Sequence, residues 1–197
     1  MQFKMRTPIG TTLLKLAGAS VIVVAVSSIT LTVLHYWGAP PMQMQEPSYN
    51  AASLPRVSAG QTLDFANGQN GNALLAGWSE AEPYGVWSDG HAAIVGFVVE
   101  GTDAPKLAIV RGMAFLVPEK LNEQRVQVWS GGEKLGEFAL RNADAVFAVP
   151  LSDLSIGNGT PVILGFFLPD AEPPKEIGGN LDLRTLSLNL KSLQLIP

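Results

Sequence analysis

The 197-residue chain has no cysteine, only two histidines, and few basic residues outside its first fifteen positions. Without cysteine there are no disulfides, no thiolate metal sites and no Cys nucleophile. His35 and His91 are the whole histidine complement, which speaks against a His-based zinc site. A Ser-His-Asp arrangement would have to use His91, and no serine here sits in a nucleophile-elbow context. Lys4, Arg6 and Lys15 are the only basic residues before Arg56, whereas all 17 acidic residues lie beyond position 45. Ten basic residues therefore face 17 acidic ones beyond the first three, a net of −7. That is the wrong sign for nucleic acid, whose binding needs clustered Lys and Arg to replace phosphate counterions.

What the sequence does have is one long apolar run. Leu16 to Trp37 reads LAGASVIVVAVSSITLTVLHYW, 22 residues without a formal charge. At about 1.5 Å per residue it spans the roughly 30 Å hydrocarbon core. Basic residues lie only on its N-terminal side, so the positive-inside rule places residues 1–15 in the cytoplasm and residues 38–197 outside. His35, Tyr36 and Trp37 stand where an interfacial belt belongs. A cleaved secretory signal is the rival reading, but its apolar region is shorter, about 7 to 15 residues, and YWGAPPM offers no good cleavage pair. Ser27, Ser28, Thr30 and Thr32 suit hydrogen bonds to a neighbouring helix, or equally to their own backbone. The expectation is a single-pass protein of a bacterial inner membrane, with its C-terminal domain periplasmic.

Residues 38–60 hold four prolines among small and polar residues and read as a Pro-rich linker. From residue 61 to 197 short apolar runs alternate with turn residues, which predicts an all-β domain closed as a jelly-roll-like β-sandwich. The expected strands are Gln61–Ala66, Ala73–Gly77, Ala92–Val99, Lys106–Met113, Gln124–Ser130, Glu133–Leu140, Ala145–Val149, Val162–Leu168 and Leu186–Ile196. Gly131-Gly132 marks a tight hairpin. Asn122–Arg125 and Ser152–Ile156 are the only candidates for a helical turn.

Two segments read as loops richer than turns require. The first runs Gly77-Trp78-Ser79-Glu80-Ala81-Glu82-Pro83-Tyr84-Gly85-Val86-Trp87-Ser88-Asp89-Gly90, the second from Pro169 to Arg184. Trp78, Tyr84 and Trp87 beside Glu80 and Glu82 form the kind of set a saccharide site uses, because sugars offer C–H faces and hydroxyl rims. The alternative is that the aromatics cap the core and Glu82 pairs internally with Arg184. Gly85 and Gly90 fit special backbone angles. The candidate ligand-binding residues are Trp78, Glu82, Tyr84, Trp87, Asp182 and Arg184.

The two segments, in this order and with an amphipathic strand after them, resemble an uncharacterised jelly-roll domain appended to bacterial membrane glycosyltransferases and other surface-polysaccharide proteins. The resemblance spans residues 60–197, with Trp78, Glu82, Gly85, Trp87, Ser88, Gly178, Asp182 and Arg184 at matching places. Pro173-Pro174 replaces the usual serine-proline, and a glycosyltransferase portion is not part of this sequence. The resemblance implies association with envelope glycan assembly and transfers no catalytic residue.

Glu80 and Glu82 are a weak basis for a glycosidase, since their geometry in a proline-containing loop is unreadable. Asp170, Glu172, Asn180 and Asp182 offer oxygen ligands for calcium, but their spacing matches no calcium loop. Asn158-Gly159-Thr160 is both a glycosylation sequon and an ordinary turn. The reading is thus a non-enzymatic, membrane-anchored domain, without cofactor or metal, that binds glycan or docks on a glycan-assembly machine. A structural accessory subunit of a larger membrane complex is the alternative. Its partners are the membrane, other membrane proteins and polysaccharide, not nucleic acid.

Overall fold

The computed structural model describes residues 47–178 and 180–197. The N-terminal stretch 1–15, the apolar segment 16–37, the first part of the linker, and Gly179 lie outside the described residues. Among the described residues no helix is long and apolar enough to cross a membrane.

Twelve strands build two facing sheets: β1 (Arg56–Ser58), β2 (Thr62–Asp64), β3 (Leu74–Ala76), β4 (Trp78–Glu82), β5 (Gly85–Ser88), β6 (Ala92–Glu100), β7 (Leu107–Ala114), β8 (Gln124–Ser130), β9 (Glu133–Leu140), β10 (Asp144–Pro150), β11 (Pro161–Phe167) and β12 (Leu188–Ile196). Sheet A runs β1-β6-β11-β8-β9, with β3 also on β6; sheet B runs β10-β7-β12-β5-β4, with β2 also on β12. One short helix, α1 (Pro174–Ile177), interrupts the approach to β12. The result is a mostly-β sandwich, as its alternating patterns require. Along β10 Ala145, Phe147 and Val149 are buried while Asp144, Val146 and Ala148 are exposed, the period of two that a sheet with one dry face imposes.

The main core lies between the sheets. Phe97, Phe166 and Leu164 of sheet A meet Val110, Leu188, Leu190, Leu193 and Leu195 of sheet B there. A smaller cluster, Leu54, Ile94, Val98 and Ile163 with Leu75 and Ala76, covers the outer side of sheet A. Gly96 makes that second layer possible, because a Cβ there would stand 2.8 Å from Leu75 and 3.2 Å from Leu54. Leu54 and Val57 belong to the stretch read as linker, yet both are buried and Val57 pairs with Val99. Packing thus begins before residue 60.

The expected strands fall close to observed ones, and β8 and β9 match residue for residue. Their connection is a two-residue turn in which Gly131 and Gly132 both have positive φ, 56° and 85°, the backbone that favours Gly-Gly. Neither Asn122–Arg125 nor Ser152–Ile156 is helical. Among the described residues the one α-helical turn is instead α1, where Pro174 at the first position is pre-set for it, and three 3-10 turns lie at Ala51–Ser53, Ala66–Gly68 and Gly71–Ala73. The first motif, read as a loop, is a β-hairpin. Its proline, glycines and acids hide strand character that pairing with β12 enforces.

Candidate functional site

The hairpin is built around residues that each have a fixed structural duty. Gly77 has φ +73°, and a Cβ there would lie 2.0 Å from Ala92 O. The next residue, Trp78, turns inward: its ring meets Phe166 edge-on at 6.1 Å and its Nε1 donates to Ile94 O at 2.9 Å. Pro83 and Tyr84 form the tip between Glu82 and Gly85, and Tyr84 is 70% exposed. Trp87, one residue after the buried Val86, points to the outer face of sheet B and meets Phe115 edge-on at 6.5 Å. The Ser88 hydroxyl accepts Leu188 N. Asp89 Oδ1 accepts Thr185 N, and Gly90 N donates to Thr185 O.

The second motif turns back on itself through two successive side-chain turns. Asn180 Oδ1 accepts Asp182 N at 2.9 Å, and Asp182 Oδ1 accepts Arg184 N at 3.0 Å. This aims the Arg184 guanidinium at the hairpin. Its Nη2 reaches Asp182 Oδ2 at 2.7 Å, and its Nη1 reaches both Ser79 Oγ and Glu82 Oε1 at 3.1 Å. The internal Glu82–Arg184 pair weighed from sequence is therefore present, and it joins residues 102 apart in the chain. Hydrogen bonding from Arg184 holds the Asp182 carboxyl below the usual carboxylate range, and Asp182 in turn raises the guanidinium.

Three of the six candidate residues thus form one latch, and two more lie on the same hairpin. Glu82, Asp182 and Arg184 are bonded into it, Tyr84 is exposed at the hairpin tip, and Trp87 lies on the face that Glu82 and Gly85 share. Trp78 is separate, committed to the core. Leu181 and Leu183, which flank Asp182, are 88% and 70% exposed and were not anticipated from the sequence. Beside the latch lies an open groove of about 280 Å³, lined by Gly71 and by Leu74 through Ser79.

Three of the four residues weighed for calcium, Asp170, Asn180 and Asp182, are engaged elsewhere. Asp170 is clamped by Arg125, with Nη2–Oδ1 at 2.6 Å and Nε–Oδ2 at 2.8 Å, and that hydrogen bonding lowers its pKa. Asp182 faces Arg184, and Asn180 spends its carbonyl on a backbone N–H. Among the described residues no cluster of three His, Cys, Asp or Glu is placed to hold a metal ion. His91 has its Nδ1 3.2 Å from Leu168 O. What the latch offers chemically is a fixed guanidinium and two carboxylates beside aromatic rings, a set suited to hydrogen-bonding hydroxyl groups.

No protein-family profile matches the chain, and no curated protein matches it. Solved structures with a similar shape include the CBM36-1 domain of a multidomain xylanase from the hindgut metagenome of Trinervitermes trinervoides, at 17% identity and TM-score 0.35, covering 57% of this chain and 77% of that one. A carbohydrate-binding module CBM36 in complex with calcium and xylotriose matches at 14% identity and TM-score 0.35, over 56% and 78%. CBM51 from Clostridium perfringens GH95, in complex with methyl-galactose, matches at 13% identity and TM-score 0.32, over 68% and 79%. Those ligands belong to those modules, and at this level of similarity no site or ligand passes to this chain.

Proposed function

We propose that the protein is a non-enzymatic, membrane-anchored sandwich on the periplasmic side of a bacterial inner membrane, where it binds glycan or docks on an envelope glycan-assembly machine. The observation that carries this reading is the latch. Arg184, Glu82 and Asp182 hold charged hydrogen-bonding groups in fixed positions next to the exposed Tyr84 and the half-buried Trp87. A sugar face needs that combination of flat ring and polar rim. Because Glu82 and Asp182 are occupied by one guanidinium, the arrangement favours binding over acid–base chemistry at a glycosidic bond. The anchor rests on the apolar run 16–37 and its flanking charges.

The finer fold belongs to the same proposal. Apart from the β8–β9 hairpin, strands β5 to β12 alternate between the sheets so that β5-β12-β7-β10 faces β6-β11-β8-β9, an interleaving that supports a jelly roll. The accessory-subunit reading is favoured by Leu181 and Leu183, large apolar side chains left in solvent beside the latch.

The test is gentle detergent purification of the full-length tagged protein, then identification of co-purifying proteins and binding assays on envelope polysaccharides. Saturable polysaccharide binding weakened by Y84A and W87A supports the glycan reading. Stoichiometric membrane-protein partners lost in an L181S/L183S variant would support the subunit reading instead. A lone monomer that binds no polysaccharide sinks both.

A further inference from the structure

The fully buried polar side chains among the described residues, Ser88, Gln124, Ser187 and Asn189, gather around the start of β12. Three of them are satisfied. Ser88 Oγ accepts Leu188 N, Ser187 Oγ donates to Gln124 Oε1 at 2.7 Å, and Gln124 Nε2 donates to Phe115 O at 2.9 Å. Asn189 is not: it is 0% exposed, and neither its Nδ2 nor its Oδ1 has a partner. An unpaired buried amide is costly where an apolar side chain would not be.

Its position makes the cost informative. Leu188 and Leu190 face the core, so Asn189 faces outward, between its cross-strand neighbours Trp87 on β5 and Met113 on β7. This is the face that carries Trp87 and Glu82. Room for the amide comes from Gly85, where a Cβ would stand 2.4 Å from Asn189 Oδ1. Gly85, at φ +140°, is closed to a side chain by Leu190 O as well, where a Cβ would stand 2.5 Å away, and the amide lodged in the space it leaves bonds to nothing in the protein.

We infer that Asn189 is a ligand-contacting residue of this face, receiving two adjacent hydroxyls of a saccharide. One hydroxyl donates to Oδ1 and the other accepts from Nδ2, while the Trp87 indole lies against the sugar's C–H face. The inference rests on the glycan-binding reading above. Because Asn189 is fully covered, access on this reading needs a neighbouring side chain to change rotamer, a rearrangement common on binding, and its cross-strand neighbours are Trp87 and the unbranched Met113. An amide that is orphaned when free and paired when bound supplies selectivity for ligands bearing both hydroxyls, because an analogue lacking one leaves the amide unpaired again.

The experiment uses the full-length protein in detergent, with soluble β-linked oligosaccharides of glucose, xylose and N-acetylglucosamine as probes. Calorimetry gives affinities, and the side-chain NH2 resonances of Asn189 are tracked in 15N-labelled wild type. N189L, of similar volume, is expected to be as thermostable as wild type or more so, while losing about tenfold or more in affinity. The Asn189 NH2 pair is expected to shift on saturation. If wild type binds, W87A weakens binding, and N189L binds as tightly as wild type with the resonances unmoved, the inference fails while the glycan reading stands. If wild type binds none of the probes, the inference and the reading that supports it fail together. Should N189L not fold, the wild-type resonances decide alone, and their failure to move under saturating ligand overturns the inference.

Discussion

At the residue scale Arg184 has the most partners to lose. It is half-buried and binds Ser79, Glu82 and Asp182 at once, so R184A leaves two carboxylates side by side without their cation. The expected cost is about 1 to 3 kcal/mol in denaturant unfolding. R184K is expected to recover only part of it, since an ammonium cannot fork between carboxylates as guanidinium does. Asp182 and Asp170 add a pH signature. Their native pKa values are depressed by Arg184 and Arg125. Their contribution is therefore fully present above the ordinary carboxylate pKa of about 3.9 and is lost as pH falls through the lower native values. Unfolding midpoints measured downward from pH 6 should decline below about pH 4, and a D170N/D182N variant should flatten that decline.

At the element scale the β4–β5 hairpin is a unit set by Gly77 just before it and Gly85 at its turn. G77A would place a methyl group against backbone at a positive φ, and the expected loss is about 2 to 4 kcal/mol by thermal or urea unfolding. G60A, also at a positive φ but with nothing within 4 Å, should cost no more than about 1 to 2 kcal/mol. These elements also show what the sequence could and could not disclose. Strands such as β8, β9 and β11 were legible because alternation and apolar runs state which side is dry. The hairpin was not, because Trp78 to Glu82 contains two acids and its register is broken between Trp78 and Ala81. Of the site, the Glu82–Arg184 pair was readable as complementary charges in two unusual segments. Asn189 was hidden, since a polar residue alternating with leucines reads as solvent-facing, and only its neighbours bury it.

At the scale of the whole molecule, the proposed address makes a direct prediction. The apolar run 16–37 with basic residues ahead of it should leave the chain in the membrane pellet after alkaline carbonate washing. An alkaline phosphatase fused after Pro197 should be active and a fusion after Lys15 inactive; the opposite pattern would reverse the proposed orientation. The net −7 beyond the first three basic residues further predicts weak attachment of the domain itself to anionic lipid, so vesicle binding by electrostatics alone should be slight.

Sheet B has its middle strand supplied last. β12 pairs with β2, β5 and β7, all of which leave the ribosome before it. Until β12 arrives, β5 and β7 each keep an open edge with no strand between them, and the leucines that complete the core are absent. Folding of this layer is therefore late and non-local, and slowed by the long loop that must close. During that interval the gap between β5 and β7 will take any copy of β12 within reach. With the anchoring proposed above, crowding of many nascent copies at one membrane surface would invite strand exchange between molecules.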